Sequence, residues 1–142
     1  EILYLLSVFY LLALYFSLFR NVVFHRRETK TSIGHKGEKL ERAIRAHSNF
    51  CETVPFNLFL SLILYFNNYH FICFLSLLIM CVGRRVHANS ISNVNEDLKK
   101  RHLGMILTVT SYFILILGIL YYVGSIIYFH ILSKTLSTTI LP

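Results

Sequence analysis

The chain has 142 residues, 55% of them hydrophobic and 15% charged, with a mean hydropathy of +0.58 and a formal charge of +7. Its length allows one domain over residues 1–142, and its apolarity excludes water as the medium around a conventional core, so the expected fold class is all-α, an integral membrane four-helix bundle. The basic balance does not call for nucleic acid, because the placement of the charges accounts for it.

Ile2 to Phe19 contains no charged residue and predicts a first span over about residues 2–24. The chain opens on Glu1, but no basic segment precedes this run and no small-residue cleavage pattern follows it, so it is expected to be a mature span and not a leader. After a basic loop comes "ERAIRAHSNFCETVPF", Glu41 to Phe56, which sets arginines, a histidine, an asparagine and a glutamate against an apolar run. The apolar runs Val54–Phe66 and Phe71–Val82 are short for lone lipid-facing helices. They suffice if polar helix ends are hidden inside a bundle, which predicts helices over 38–66 and 70–88 with "NNYH" at Asn67–His70 as the turn. Leu103 to Ser133 has no Asp, Glu, Lys or Arg and predicts a fourth helix over 97–132.

Charge placement tests this count. Of fourteen Lys and Arg, thirteen lie in the segments Arg20–Arg45 and Arg84–Arg101, and Lys134 alone lies elsewhere. Four spans put those two segments on one face, the positive-inside arrangement, with both chain ends on the other. The expectation is a multi-pass protein of a bacterial inner membrane or an organellar membrane, in contact with membrane lipid and without nucleic acid or a metal site. Cys51, Cys73 and Cys81 are odd in number and lie in or beside apolar helix, where small buried hydrophobes are expected. Ser111, Gly118 and Gly124 are expected to permit close packing of the fourth helix.

On a helix turning 100° per residue, Asn49 falls about 40° from Arg45, Glu52 about 20° to the other side and Arg42 about 60° away, so the four share one stripe. A carboxylate beside a membrane span is costly unless paired. Two readings follow: an ion pair of Glu52 with Arg42 or Arg45 that joins helices, or a zwitterion site using Arg for carboxylate, Glu for ammonium and Asn for an amide. "GRRVHANS" places Arg84 and His87 one turn apart at the end of the third helix, and "KKRHLGM" opens the fourth with Arg101.

These stretches together, "ERAIRAHSNFCETVPF", "GRRVH" and "RHLGMILT", resemble the MAPEG family, the membrane-associated proteins in eicosanoid and glutathione metabolism, and most closely its uncharacterised bacterial-type branch. The resemblance runs from about Asn21 to Leu120. It implies a four-helix subunit packed as a homotrimer, with glutathione as cofactor in clefts between subunits. It also implies glutathione contacts for Arg45, Asn49 and Glu52, further binding residues in Arg84 and His87, and Arg101 as the catalytic group beside the thiol. The implied activity is a membrane-bound transferase or peroxidase acting on apolar electrophiles. This chain departs from the prostaglandin synthase branch where tyrosines are replaced by Ile91 and Met105 and a serine by His102, and its "SIGHKG" replaces an acidic loop. Those departures keep a second implication open, a catalytically silent accessory subunit among other membrane subunits.

Overall fold

In a computed structural model the chain forms four helices: α1 (Ile2–Thr29), α2 (Glu38–Phe66), α3 (His70–Ser92) and α4 (Leu98–Ile140). Backbone is described for residues 1–140 and side chains through Leu136. All four helices are long and apolar enough to cross a membrane, so the chain is an integral, multi-pass membrane protein with an all-α fold. Three helices run further than expected, α1 to Thr29, α3 to Ser92 and α4 past 132 to Ile140. In α3 the extra turns carry Ser90 and Ile91, both buried, so polar composition there marks contact with the bundle and not the end of the helix.

The connections follow local chemistry. Lys30 closes α1 in the left-handed region, and Arg26 reaches past it to donate from Nη1 to the carbonyls of Ser32 (2.9 Å) and Gly34 (3.2 Å), strapping the loop to the helix end. The turn between α2 and α3 uses a left-handed Asn68, φ 68°, the conformation its amide tolerates best. Asp97 caps α4, its Oδ1 accepting from the backbone N–H groups of Lys99 (3.0 Å) and Lys100 (3.3 Å). Those hydrogen bonds hold its carboxyl below the usual aspartate range.

Packing is centred on α3. Half of its most apolar stretch is buried, against 28% for each other helix, and it packs on all three neighbours while, among the described residues, α1 and α4 do not pack on each other. The buried residues of α1, Tyr4, Ser7, Leu11, Leu14 and Leu18, repeat at alternating spacings of three and four, a single narrow seam on a helix otherwise exposed or half-buried. The α3–α4 contact rests on two glycines. A Cβ on Gly104 would lie 2.7 Å from the His87 backbone nitrogen, and one on Gly83 would lie 2.9 Å from Leu107 Cβ, so the helices meet nearly backbone to backbone. Gly118 behaves as expected, with Leu64 Cδ1 at 2.9 Å from its would-be Cβ, whereas Gly124 faces open space.

Between these contacts runs a polar seam. Asn57 Nδ2 donates to Ser111 Oγ at 2.9 Å, Ser111 and Ser76 hydroxyls meet at 2.8 Å, and the Tyr4 hydroxyl meets Ser61 Oγ at 3.2 Å. Cys73 and Cys81 are buried as expected, but Cys51 is exposed. Small groups that bond each other are the form in which polarity survives inside a bilayer.

Candidate functional site

At the cationic end of the bundle a cavity of about 480 Å³ opens between α2, the α3–α4 connection and the start of α4. Its α2 wall carries Arg42, Arg45, Asn49 and Glu52, the stripe that helical spacing predicts, and Glu96 and Arg101 face them. Glu96 organises the opening. Its Oε1 accepts from Arg101 Nη1 at 3.0 Å and its Oε2 from Arg42 Nη1 at 3.2 Å, while Arg42 Nε also holds Glu38 at 2.9 Å. The Glu96 side chain is 12% exposed. Burial works against its charge, but the hydrogen bonds from Arg42 and Arg101 outweigh it and hold the carboxyl below its ordinary pKa.

Of the two readings, the pairing of Glu52 with Arg42 or Arg45 is not formed among the described residues; Arg42 is held by Glu38 and Glu96. Arg45 and Glu52 are exposed, and among the described residues neither makes an ion pair or a side-chain hydrogen bond. A carboxylate and a guanidinium thus line the cavity uncommitted.

Arg84 and His87 are placed differently from the expectation that they bind a ligand directly. Both are buried beneath the cavity, Arg84 at 1% exposure, and neither lines it. Arg84 Nη1 donates to Asn49 Oδ1 at 2.5 Å and to Thr53 Oγ1 at 3.1 Å, and Nη2 reaches the Gly104 carbonyl at 3.5 Å. Among the described residues its Nε has no partner and no carboxylate neutralises it, a buried cation held by dipoles. One consequence is orientation: with Oδ1 committed to Arg84, the Asn49 amide keeps Nδ2 as an unpartnered donor in the cavity wall. His87 packs against Gly104, which explains its depth.

The sequence of residues 4–121 matches the MAPEG family. The chain belongs to that family. No curated protein and no solved structure matches it significantly. MAPEG members are glutathione-related transferases or peroxidases, or accessory proteins, and glutathione is their general substrate or cofactor. The matched residues include all those that line the cavity.

Within this MAPEG frame, Ile91 lies in the cavity wall and gives its backbone carbonyl to Arg42 Nη1 at 3.4 Å, so an apolar side chain with no proton to give lines the wall there. The Met105 sulfur lies 3.8 Å from Arg84 Nη2, a soft contact in place of a phenol. Glu96 was not among the residues singled out from sequence. Its signal was available: Glu96 and Asp97 are the acids of a short connection flanked by the basic residues Arg84 and Arg85 in α3 and Lys99, Lys100 and Arg101 in α4. Thr53 and Tyr112, whose hydroxyl donates to the Thr53 carbonyl, gave none, since both roles depend on which helix lies opposite.

Proposed function

We propose that this MAPEG protein binds glutathione in the cavity at the cationic end of α2 and works as a membrane-bound transferase or peroxidase on apolar electrophiles arriving from the lipid. The observation that carries this reading is the convergence of Arg45, Asn49, Glu52 and Arg101 on one cavity in which Arg45, Glu52 and the Asn49 amide nitrogen lack partners. Glutathione presents two carboxylates, an ammonium and amides, a pattern complementary to those groups. Arg45 would take a carboxylate, Glu52 the ammonium, and Asn49 Nδ2 an acceptor oxygen. When bound, glutathione supplies a thiol whose conjugate base is the nucleophile. Lowering a thiol pKa from ~8.5 by two units needs ~2.7 kcal/mol of preference for the charged form, within reach of one guanidinium at an effective dielectric of ~20. Arg101, whose Nη1 pairs with Glu96 in the single subunit, is assigned that role. Because Arg45 and Glu52 are exposed in the single subunit, a neighbouring copy against α2 is part of the proposal, with a homotrimer as the arrangement.

A second reading, a silent accessory subunit, is favoured by one feature: Glu96 already occupies Arg101 and Arg42, doing internally what a bound anion would do. Millimolar glutathione added to the detergent-solubilised protein separates the two. The first reading expects a rise in melting temperature and thiolate absorbance at neutral pH. Neither signal at saturating glutathione would leave the accessory reading in place.

A further inference from the structure

On their shared flank α1 and α3 enclose two further hollows. One, of about 340 Å³, lies at the cationic end and is lined by Ser17, Arg20, Asn21, Arg85 and Asn89 beside Leu18. The other, of about 480 Å³, is a groove along the bilayer depth formed by Leu6, Tyr10, Phe74, Leu78 and Val82. Arg85 lines both, so the polar hollow and the apolar groove meet at its side chain. Among the described residues, Arg20, Asn21, Arg85 and Asn89 make no side-chain hydrogen bond or ion pair.

Positive-inside topology explains basic residues on this face of the membrane, but not their grouping. Two guanidiniums and two amides from different helices share one concave wall with no carboxylate in it, an arrangement suited to the oxygens of a phosphate. The groove beneath is the matching half. Along α3 it runs from Phe74 to Arg85, roughly 16 Å at 1.5 Å per residue, about half of a ~30 Å hydrocarbon core and so the depth of one leaflet. Arg85 lies where the two hollows meet, a position from which an arginine can set its aliphatic stem along an apolar groove and its guanidinium on a phosphate.

We propose that the α1–α3 face binds an anionic phospholipid, its headgroup phosphate between Arg20 and Arg85 and one acyl chain in the groove of Leu6, Tyr10, Phe74 and Leu78. The site is separate from the cavity on α2 and does not depend on what that cavity binds.

The test uses the full chain, delipidated in a neutral detergent, with retention followed by native mass spectrometry and stability by thermal melting. The probes are dioleoyl phosphatidylglycerol, dioleoyl phosphatidylcholine and glycerol 3-phosphate. Phosphatidylglycerol is expected to be retained and to raise the melting temperature, phosphatidylcholine to do so less, and glycerol 3-phosphate not at all. Arg20→Gln with Arg85→Gln should weaken retention of phosphatidylglycerol roughly tenfold or more while leaving the lipid-free melting temperature unchanged, since both side chains are exposed and unpaired. Leu78→Trp, which fills the groove, should weaken retention of both lipids. Equal retention of the two lipids, or undiminished retention in the double arginine variant, overturns the proposal. A shift with glycerol 3-phosphate equal to that with lipid reduces the site to a free-anion site and also overturns it. So does disulfide cross-linking of Leu78→Cys between copies in liposomes, which would make this face a subunit contact.

Discussion

The cavity at the cationic end and the polar seam in mid-bundle are built by the same helices, α2, α3 and α4, yet they treat polarity in opposite ways. In the seam, Asn57, Ser76 and Ser111 are small, neutral, fully buried and bonded to each other. In the cavity, Arg45 and Glu52 are long, charged, exposed and uncommitted. Of the seam's side-chain atoms only Asn57 Oδ1 lacks a partner among the described residues; the rest are satisfied within the protein, as hydrocarbon requires, so the seam is structure. Charged groups kept unpaired beside a membrane gain no stability from their position, which is why the proposed ligand is assigned to the cavity. Arg84 belongs to both, with the burial of the seam and the charge of the cavity.

That intermediate position makes Arg84 the strongest point of attack. Arg84→Ala withdraws donors from Asn49, Thr53 and Gly104 and leaves a void, and should cost about 3 kcal/mol or more in stability, measured by denaturation in detergent. Arg84→Met, which fills the space without a charge, should fold better than the alanine variant yet still loosen Asn49, so it should weaken glutathione binding while largely keeping the melting temperature. Undiminished glutathione binding in Arg84→Met would place Arg84 in the packing alone.

Next comes the cavity itself. Glu52→Gln removes a charge-assisted contact to an ammonium and should weaken glutathione binding by ~1.5 to 3 kcal/mol, roughly ten- to a hundredfold, with little change in stability because the side chain is exposed. Glu96→Gln should move the other way, releasing Arg101 and Arg42 for a bound anion, and isothermal titration would read both. The same direction for both variants would contradict the assigned charges.

In the seam the expected effects are smaller. Ser111→Ala removes one hydroxyl from a site shared by Asn57 and Ser76, and hydrogen bonds between membrane helices are worth about 0.6 kcal/mol each on average, so a loss of about 1 kcal/mol in stability with unchanged ligand binding is expected. A change in binding would mean that the seam transmits to the cavity.

The smallest effect is that of acid. Glu96 has a pKa depressed below its ordinary 4.5, so its contribution is present above that value and is lost as pH falls through the lower folded value. Asp97, depressed by its cap on α4, acts in the same sense. The melting temperature should therefore decline below about pH 4.5, and less steeply in Glu96→Gln; identical slopes would show that the Arg42–Glu96–Arg101 cluster contributes no stability.

Much of this protein could be read from its order of residues alone. The four spans, the turn that carries the left-handed Asn68 and the stripe of Arg45, Asn49 and Glu52 all depend on local matters: run length, turn chemistry and the pitch of a helix. What only the tertiary structure decided is who faces whom. Arg42 shares that stripe with Glu52 but is held by Glu38 and Glu96, and Arg84, one of many arginines on the cationic face, is enclosed where Gly83 and Gly104 bring α3 and α4 close. Helical periodicity assigns each side chain a direction on its own helix; the partner in that direction is set by helix rotation and approach, which depend on small residues far apart in the chain.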